Sequence, residues 1–100
     1  MNVIQKLADQ GRLREAAELC QTHLREEGAT ATAYYWLGVV HDAAGKLDLA
    51  SDCYRKAIYL KPDHAEALWQ ITLLAEKRGQ REEARRWRRR AERVEARGRP

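Results

Sequence analysis

Residues 34–62 read YYWLGVVHDAAGKLDLASDCYRKAIYLKP, and this stretch decides the fold. Its first half repeats apolar side chains at helical spacing: Tyr34, Leu37, Val40, His41 and Ala44. Its second half does the same with Leu47, Ala50, Tyr54, Ala57 and Ile58. Gly45 sits between the halves, where one helix must stop and the chain must turn through positive φ. Pro62 closes the stretch, because proline disfavours helical geometry in the residue before it. Asp63 follows as the expected N-cap of the next helix, with Glu66 completing a capping box.

Outward from this pair the same grammar returns at a step of 34 residues: Gly11, Gly45 and Gly79; Ala16, Ala50 and Ala84; Ala57 and Ala91; Leu37 and Ile71. Such a period marks stacked units of one supersecondary type. The units are 1–30, 31–64 and 65–98 within a single domain, 1–98, leaving 99–100 as a tail. No strand-like alternation occurs, so the expected class is all-α, with six helices near 2–10, 12–27, 31–44, 47–60, 64–78 and 81–96. Small residues at Gly38, Ala50 and Ala57 allow helix axes to approach closely.

Composition agrees. The chain has 100 residues, 34% charged and 44% hydrophobic, which excludes a disordered segment and suits one small domain. The longest uncharged run, Gly28 to His41, is too short to span a membrane, and no signal-peptide pattern opens the chain. Cys20 and Cys53 lack the spacing of a zinc site or a disulfide framework; they read as reduced, buried thiols of a cytoplasmic protein. His23, His41 and His64 form no metal-binding pair, and no nucleophile has a base beside it, so no catalytic residue, metal or cofactor is expected in this chain. The glutamate pairs 26/27 and 82/83 read as solvated surface.

The period and residues resemble the tetratricopeptide repeat, whose pattern is W-x2-L-G-x2-Y, A-x3-F, P. The middle unit supplies Tyr34, Leu37, Gly38, His41, Ala50, Tyr54 and Pro62 in those places. The third unit is looser, with Leu68, Ile71, Thr72, Ala75, Ala84 and Arg88; the first keeps Gly11, Leu13, Ala16 and Cys20. The resemblance implies a helix-turn-helix solenoid of about three repeats with a protein-binding groove.

A narrower resemblance runs from Tyr54-Arg-Lys-Ala-Ile-Tyr-Leu-Lys-Pro-Asp-His-Ala-Glu-Ala-Leu68 through Leu73-Leu-Ala-Glu-Lys-Arg-Gly79 to Arg88-Arg-Arg-Ala-Glu-Arg93. It is similar to the repeat module after the catalytic domain of CheR-type chemoreceptor methyltransferases, Wsp-type enzymes of biofilm-controlling chemosensory systems among them. That family methylates receptor glutamates with S-adenosylmethionine. The resemblance implies a regulatory, protein-binding C-terminal part of such an enzyme, whose partner is a chemoreceptor cytoplasmic segment or the enzyme's own methyltransferase domain. An unrelated adaptor of the same fold is the alternative.

Two surfaces are candidates. Along the first helices one stripe holds Tyr35, Val39 and Asp42; the matching slots are Trp69, Leu73 and Glu76 in the third unit and Met1, Gln5 and Ala8 in the first. Aromatic anchors beside acids suit a peptide or helix with apolar and basic groups. Packing of Tyr35 and Trp69 between neighbouring helices is the other reading. Net charge is +4 but uneven: residues 78–100 hold ten Arg and four Glu. Arg85, Arg86, Arg89, Arg90 and Arg93 form a basic face, which could meet nucleic acid, an anionic surface or an acidic protein. It equally suits a terminal cap, whose thin apolar stripe is Ala84, Trp87, Ala91 and Val94. Trp36 has no assigned place. The short first helix, with Ile4, Leu7 and Ala8, is expected to fray or to pair with another chain, giving a dimer.

Overall fold

The computed structural model describes residues 2–98. They form six helices: α1 (Asn2–Asp9), α2 (Leu13–Glu27), α3 (Ala31–Ala43), α4 (Leu47–Leu60), α5 (Ala65–Lys77) and α6 (Arg81–Arg97). There is no strand among the described residues. Each consecutive pair is an antiparallel hairpin, and α3 and α5 also pack on the second helix of the preceding hairpin.

The turns show why the period is 34. Gly11, Gly45 and Gly79 have φ of 77°, 76° and 74°, a region where a side chain would be strained. Each glycine N–H donates to the carbonyl three residues back, on Ala8, Asp42 and Glu76, all at 3.0 Å. The next N–H, on Arg12, Lys46 or Gln80, reaches the carbonyl five back at 2.8 to 2.9 Å. These bonds satisfy carbonyls that the helix end leaves without partners.

The helix starts repeat as well. Thr30 Oγ1 accepts the Ala33 N–H at 3.1 Å, and 34 residues later His64 Nδ1 accepts the Ala67 N–H at 3.1 Å. The N-cap of α5 is therefore His64 and not Asp63. The reason is local: His64 N–H bonds to the Lys61 carbonyl at 3.0 Å, closing a turn over Pro62 and Asp63 before the helix begins.

Burial follows the expected stripes. Ala50, Tyr54 and Ala57 are fully buried and join Leu68, Ile71, Leu74 and Ala91 in one core cluster. Ile4, Ala16, Cys20, Leu37, Val40 and Cys53 make a second. Ala44 departs from expectation: it is exposed, since it caps α3 and has turned away from the seam. Trp36 is half-buried and packs against both clusters, edge-on to Tyr35 at 5.4 Å between ring centroids.

Candidate functional site

The first helices lie in sequence: α1 touches α3, and Lys77 at the end of α5 pairs with Asp42 of α3 at 3.4 Å. Helical spacing places Val39 and Asp42 on one side of α3, and Leu73 and Glu76 on the matching side of α5. Leu73 is 54% exposed and stands open there, while Val39 is half-buried. Gln5 of α1 is exposed and Ala8 half-buried; Met1, expected at the head of that stripe, lies outside the described residues, as do 99–100.

Tyr35 requires a correction. It is only 7% exposed, with ring centroids 5.1 Å from His64 and 6.2 Å from Tyr54. Its ring fills the seam between hairpins, so it is no accessible anchor. Its counterpart Trp69 is half-buried: the indole N–H donates to Glu95 Oε1 at 2.6 Å, and the Arg88 guanidinium lies 5.8 Å from the ring centroid. No later hairpin covers Trp69 among the described residues, and these α6 side chains cover it instead.

The acids of this side are also engaged. Asp42 accepts from the Tyr54 hydroxyl at 3.2 Å and from Lys77. Glu76 pairs with Arg88. These are internal partners for carboxylates that spacing alone offered to a basic ligand. Leu73, with Val39 beside α3's acid, is the apolar surface this side leaves open.

On α6, Ala84 and Ala91 are buried and Trp87 and Val94 half-buried, so the expected apolar stripe is the side that faces the rest of the solenoid. Arg85, Arg86, Arg89 and Arg93 are exposed, Arg90 half-buried; none of the five is in an ion pair among the described residues. Arg90 instead lies 5.0 Å from the Trp87 ring centroid. The other face of this region is Arg55 of α4, which pairs with Glu83 and stands 5.7 Å from the same ring.

Sequence reasoning missed the neighbouring cleft of Tyr34, Lys56, Tyr59 and Leu60. The signal was present: Tyr59 and Leu60 are large apolar residues outside the α4 stripe. Among the described residues no group of His, Cys, Asp and Glu side chains gathers as a metal site requires, and no helix is long and apolar enough to cross a membrane.

The tetratricopeptide-repeat family profile matches residues 31–64. A crystal structure of MamA superposes with a TM-score of 0.89 at 29% identity, covering 95% of this chain and 56% of that one. A second MamA crystal structure gives 0.76 at 33% identity, covering 84% and 46%. The chain has the fold of a tetratricopeptide-repeat solenoid, and its residues 31–64 match that family's profile. Curated relatives carry the name "Probable biofilm formation methyltransferase WspC". The Pseudomonas aeruginosa protein is 48% identical over 90 residues and the Pseudomonas putida protein 40% identical over 91. These matches take in 90% and 91% of this solenoid, which spans about a fifth of each relative's length (21% and 22%).

Proposed function

We infer that this repeat solenoid is the protein-docking part of a protein-glutamate O-methyltransferase that modifies chemoreceptors in a surface-sensing, biofilm-controlling system of the bacterial cytoplasm. The observation that carries this reading is the 48% identity to a WspC-named protein over nearly the whole chain. In this reading the methyl transfer and its S-adenosylmethionine belong to another part of the parent protein.

The partner is a receptor cytoplasmic segment or the parent's own catalytic domain. The binding side is that of the first helices, where exposed Leu73 and half-buried Val39 offer apolar contact, Asp42 and Glu76 set the charge around it, and Trp69 flanks them. Tyr35 supports that side from within the seam. The test is titration of the chain with a purified receptor cytoplasmic segment, and separately with the catalytic domain of a WspC relative. Binding to one of them, weakened by Leu73→Ala and by Val39→Ala in a chain of unchanged helicity, supports the reading. Binding to neither, at concentrations up to the solubility of both proteins, overturns it.

A further inference from the structure

The outer side of α4 is where large apolar side chains stand open beside cations. Tyr59 is 86% exposed and Leu60 44%. With Tyr34 and Lys56 they line a cleft of about 520 Å³. The Lys56 ammonium lies 5.3 Å from the Tyr34 ring centroid, which leaves Tyr59 as the open aromatic. Arg55 lines this cleft and also the next one, made with Glu83, Arg86, Trp87 and Arg90. The shared arginine joins the two into one track that crosses from α4 to α6.

The track is net positive. Its lining holds the cations Arg55, Lys56, Arg86 and Arg90 against a single carboxylate, Glu83. Glu83 shows how the track holds an acid: its carboxylate pairs with the Arg55 guanidinium and accepts the Trp87 indole N–H at 3.3 Å. Arg86 and Arg90 are in no ion pair among the described residues. An apolar pocket beside unneutralised cations complements a ligand with an apolar group flanked by carboxylates.

We propose that the α4/α6 track is a docking site for an acidic protein segment carrying an apolar anchor. The anchor enters between Tyr34, Tyr59 and Leu60, and the flanking carboxylates meet Lys56, Arg86 and Arg90. A nucleic acid fits less well. Trp87 already carries Arg55 and Arg90 over its ring, at 5.7 and 5.0 Å from the centroid, and is no free platform for base stacking. The site lies mainly on the second helices α4 and α6, with Tyr34 of α3 at its edge; it shares no lining residue with the Val39, Asp42, Leu73 and Glu76 stripe and is independent of the parent enzyme's identity.

The test is fluorescence anisotropy of the whole chain with a short labelled peptide of glutamates bearing leucines at helical spacing. Binding is expected at about 50 mM salt and should weaken as salt rises, because exposed charges are then screened. Tyr59→Ala, and separately Arg86→Glu with Arg90→Glu, should each weaken it about tenfold or more, the scale of losing a central contact. Leu73→Ala on the α3/α5 side should leave it unchanged. Tyr59 is so exposed that its truncation should not alter the fold, which circular dichroism checks. No binding, or binding indifferent to both the Tyr59 and the arginine changes, overturns the proposal. So does binding of single-stranded DNA or phosphatidylserine vesicles through these residues while the peptide stays free.

Discussion

Gly38 lies directly beneath the ring of Tyr54: a Cβ built on Gly38 would stand 2.7 Å from two ring carbons and 3.3 Å from Cys53 Cβ. The two are locked together by the close passage of α3 over α4. One repeat later both have changed at once. Thr72 takes the place of Gly38 and Arg88 the place of Tyr54. Without a ring above it the slot has room for a side chain, and Thr72 is fully buried with its hydroxyl donating to the Leu68 carbonyl at 2.7 Å. Arg88 reaches Glu76 just as Tyr54 reaches Asp42, 34 residues earlier. A tyrosine–carboxylate hydrogen bond between the two helices of one hairpin has become an arginine–carboxylate ion pair in the next.

Gly38→Ala should therefore destabilise the chain by about 1–3 kcal/mol, since the ring is fully buried and cannot move aside without disturbing its neighbours. Thr72→Ala should cost less, because the smaller side chain removes its hydroxyl along with the bond it made. Urea unfolding of the two variants checks the order. Equal, negligible losses would mean that α3 and α4 can separate freely.

His64 ties stability to pH. Its Nδ1 caps α5 only while that nitrogen is unprotonated. Burial lowers its pKa below the ordinary histidine value of 6.5; Lys61 acts in the same direction, and Glu66 and Asp63 oppose it. The proton thus binds the unfolded chain more tightly. The stabilisation is present in full above the ordinary value and is lost as pH falls through the lowered one. His41 is lowered as well, by burial and Lys46, and adds a slope of the same sign. The melting temperature should fall between pH 7 and 5. In a His41→Gln background, His64→Ser keeps a capping oxygen but should flatten the slope. An unchanged slope in that double variant would remove His64 as its source.

The thiols give a third expectation. Cys20 and Cys53 are buried in one cluster, and burial pushes each thiol up to about 11. Only the thiolate reacts, so both should resist a maleimide or disulfide reagent at pH 7.5 while the chain is folded. Denaturant should expose both at once. Rapid modification of the native chain at either cysteine contradicts this packing.

The repeat was legible because its causes are local. A glycine turn, a buried small residue and a capped helix start each leave a mark at a fixed step, and Gly11, Gly45 and Gly79 obey it in geometry as well as in sequence. Surface assignments were less legible, because spacing says which residues share a face and not what covers it. Tyr35 and Trp69 hold the same slot, yet one is sealed by the His64 turn and the other is overlaid by Arg88 and Glu95. Asp63 and His64 compete for one cap, and the turn over Pro62 decides between them. The α4/α6 track joins residues from α3, α4 and α6, which no single helix pattern reveals.

Helix α1 buries fewer of its described side chains than any other helix. Its eight described residues fall below the length at which a helix is stable in water on its own. Only Ile4 among its described side chains is fully buried, with Leu7 and Ala8 half-covered, while Val3 is 59% exposed. Val3 and Ile4 line a cleft with Leu19, which is itself 38% exposed. The short helix therefore gains little from packing and keeps apolar surface beside it. Amides in 2–8 should exchange far faster than those of α4 in dilute solution, as expected where few apolar contacts oppose opening. If a second copy covers the cleft, their protection should rise with protein concentration, together with the sedimentation coefficient. Strong protection of those amides in a dilute monomer would show that the contacts of Ile4 and Leu7 alone suffice to hold α1.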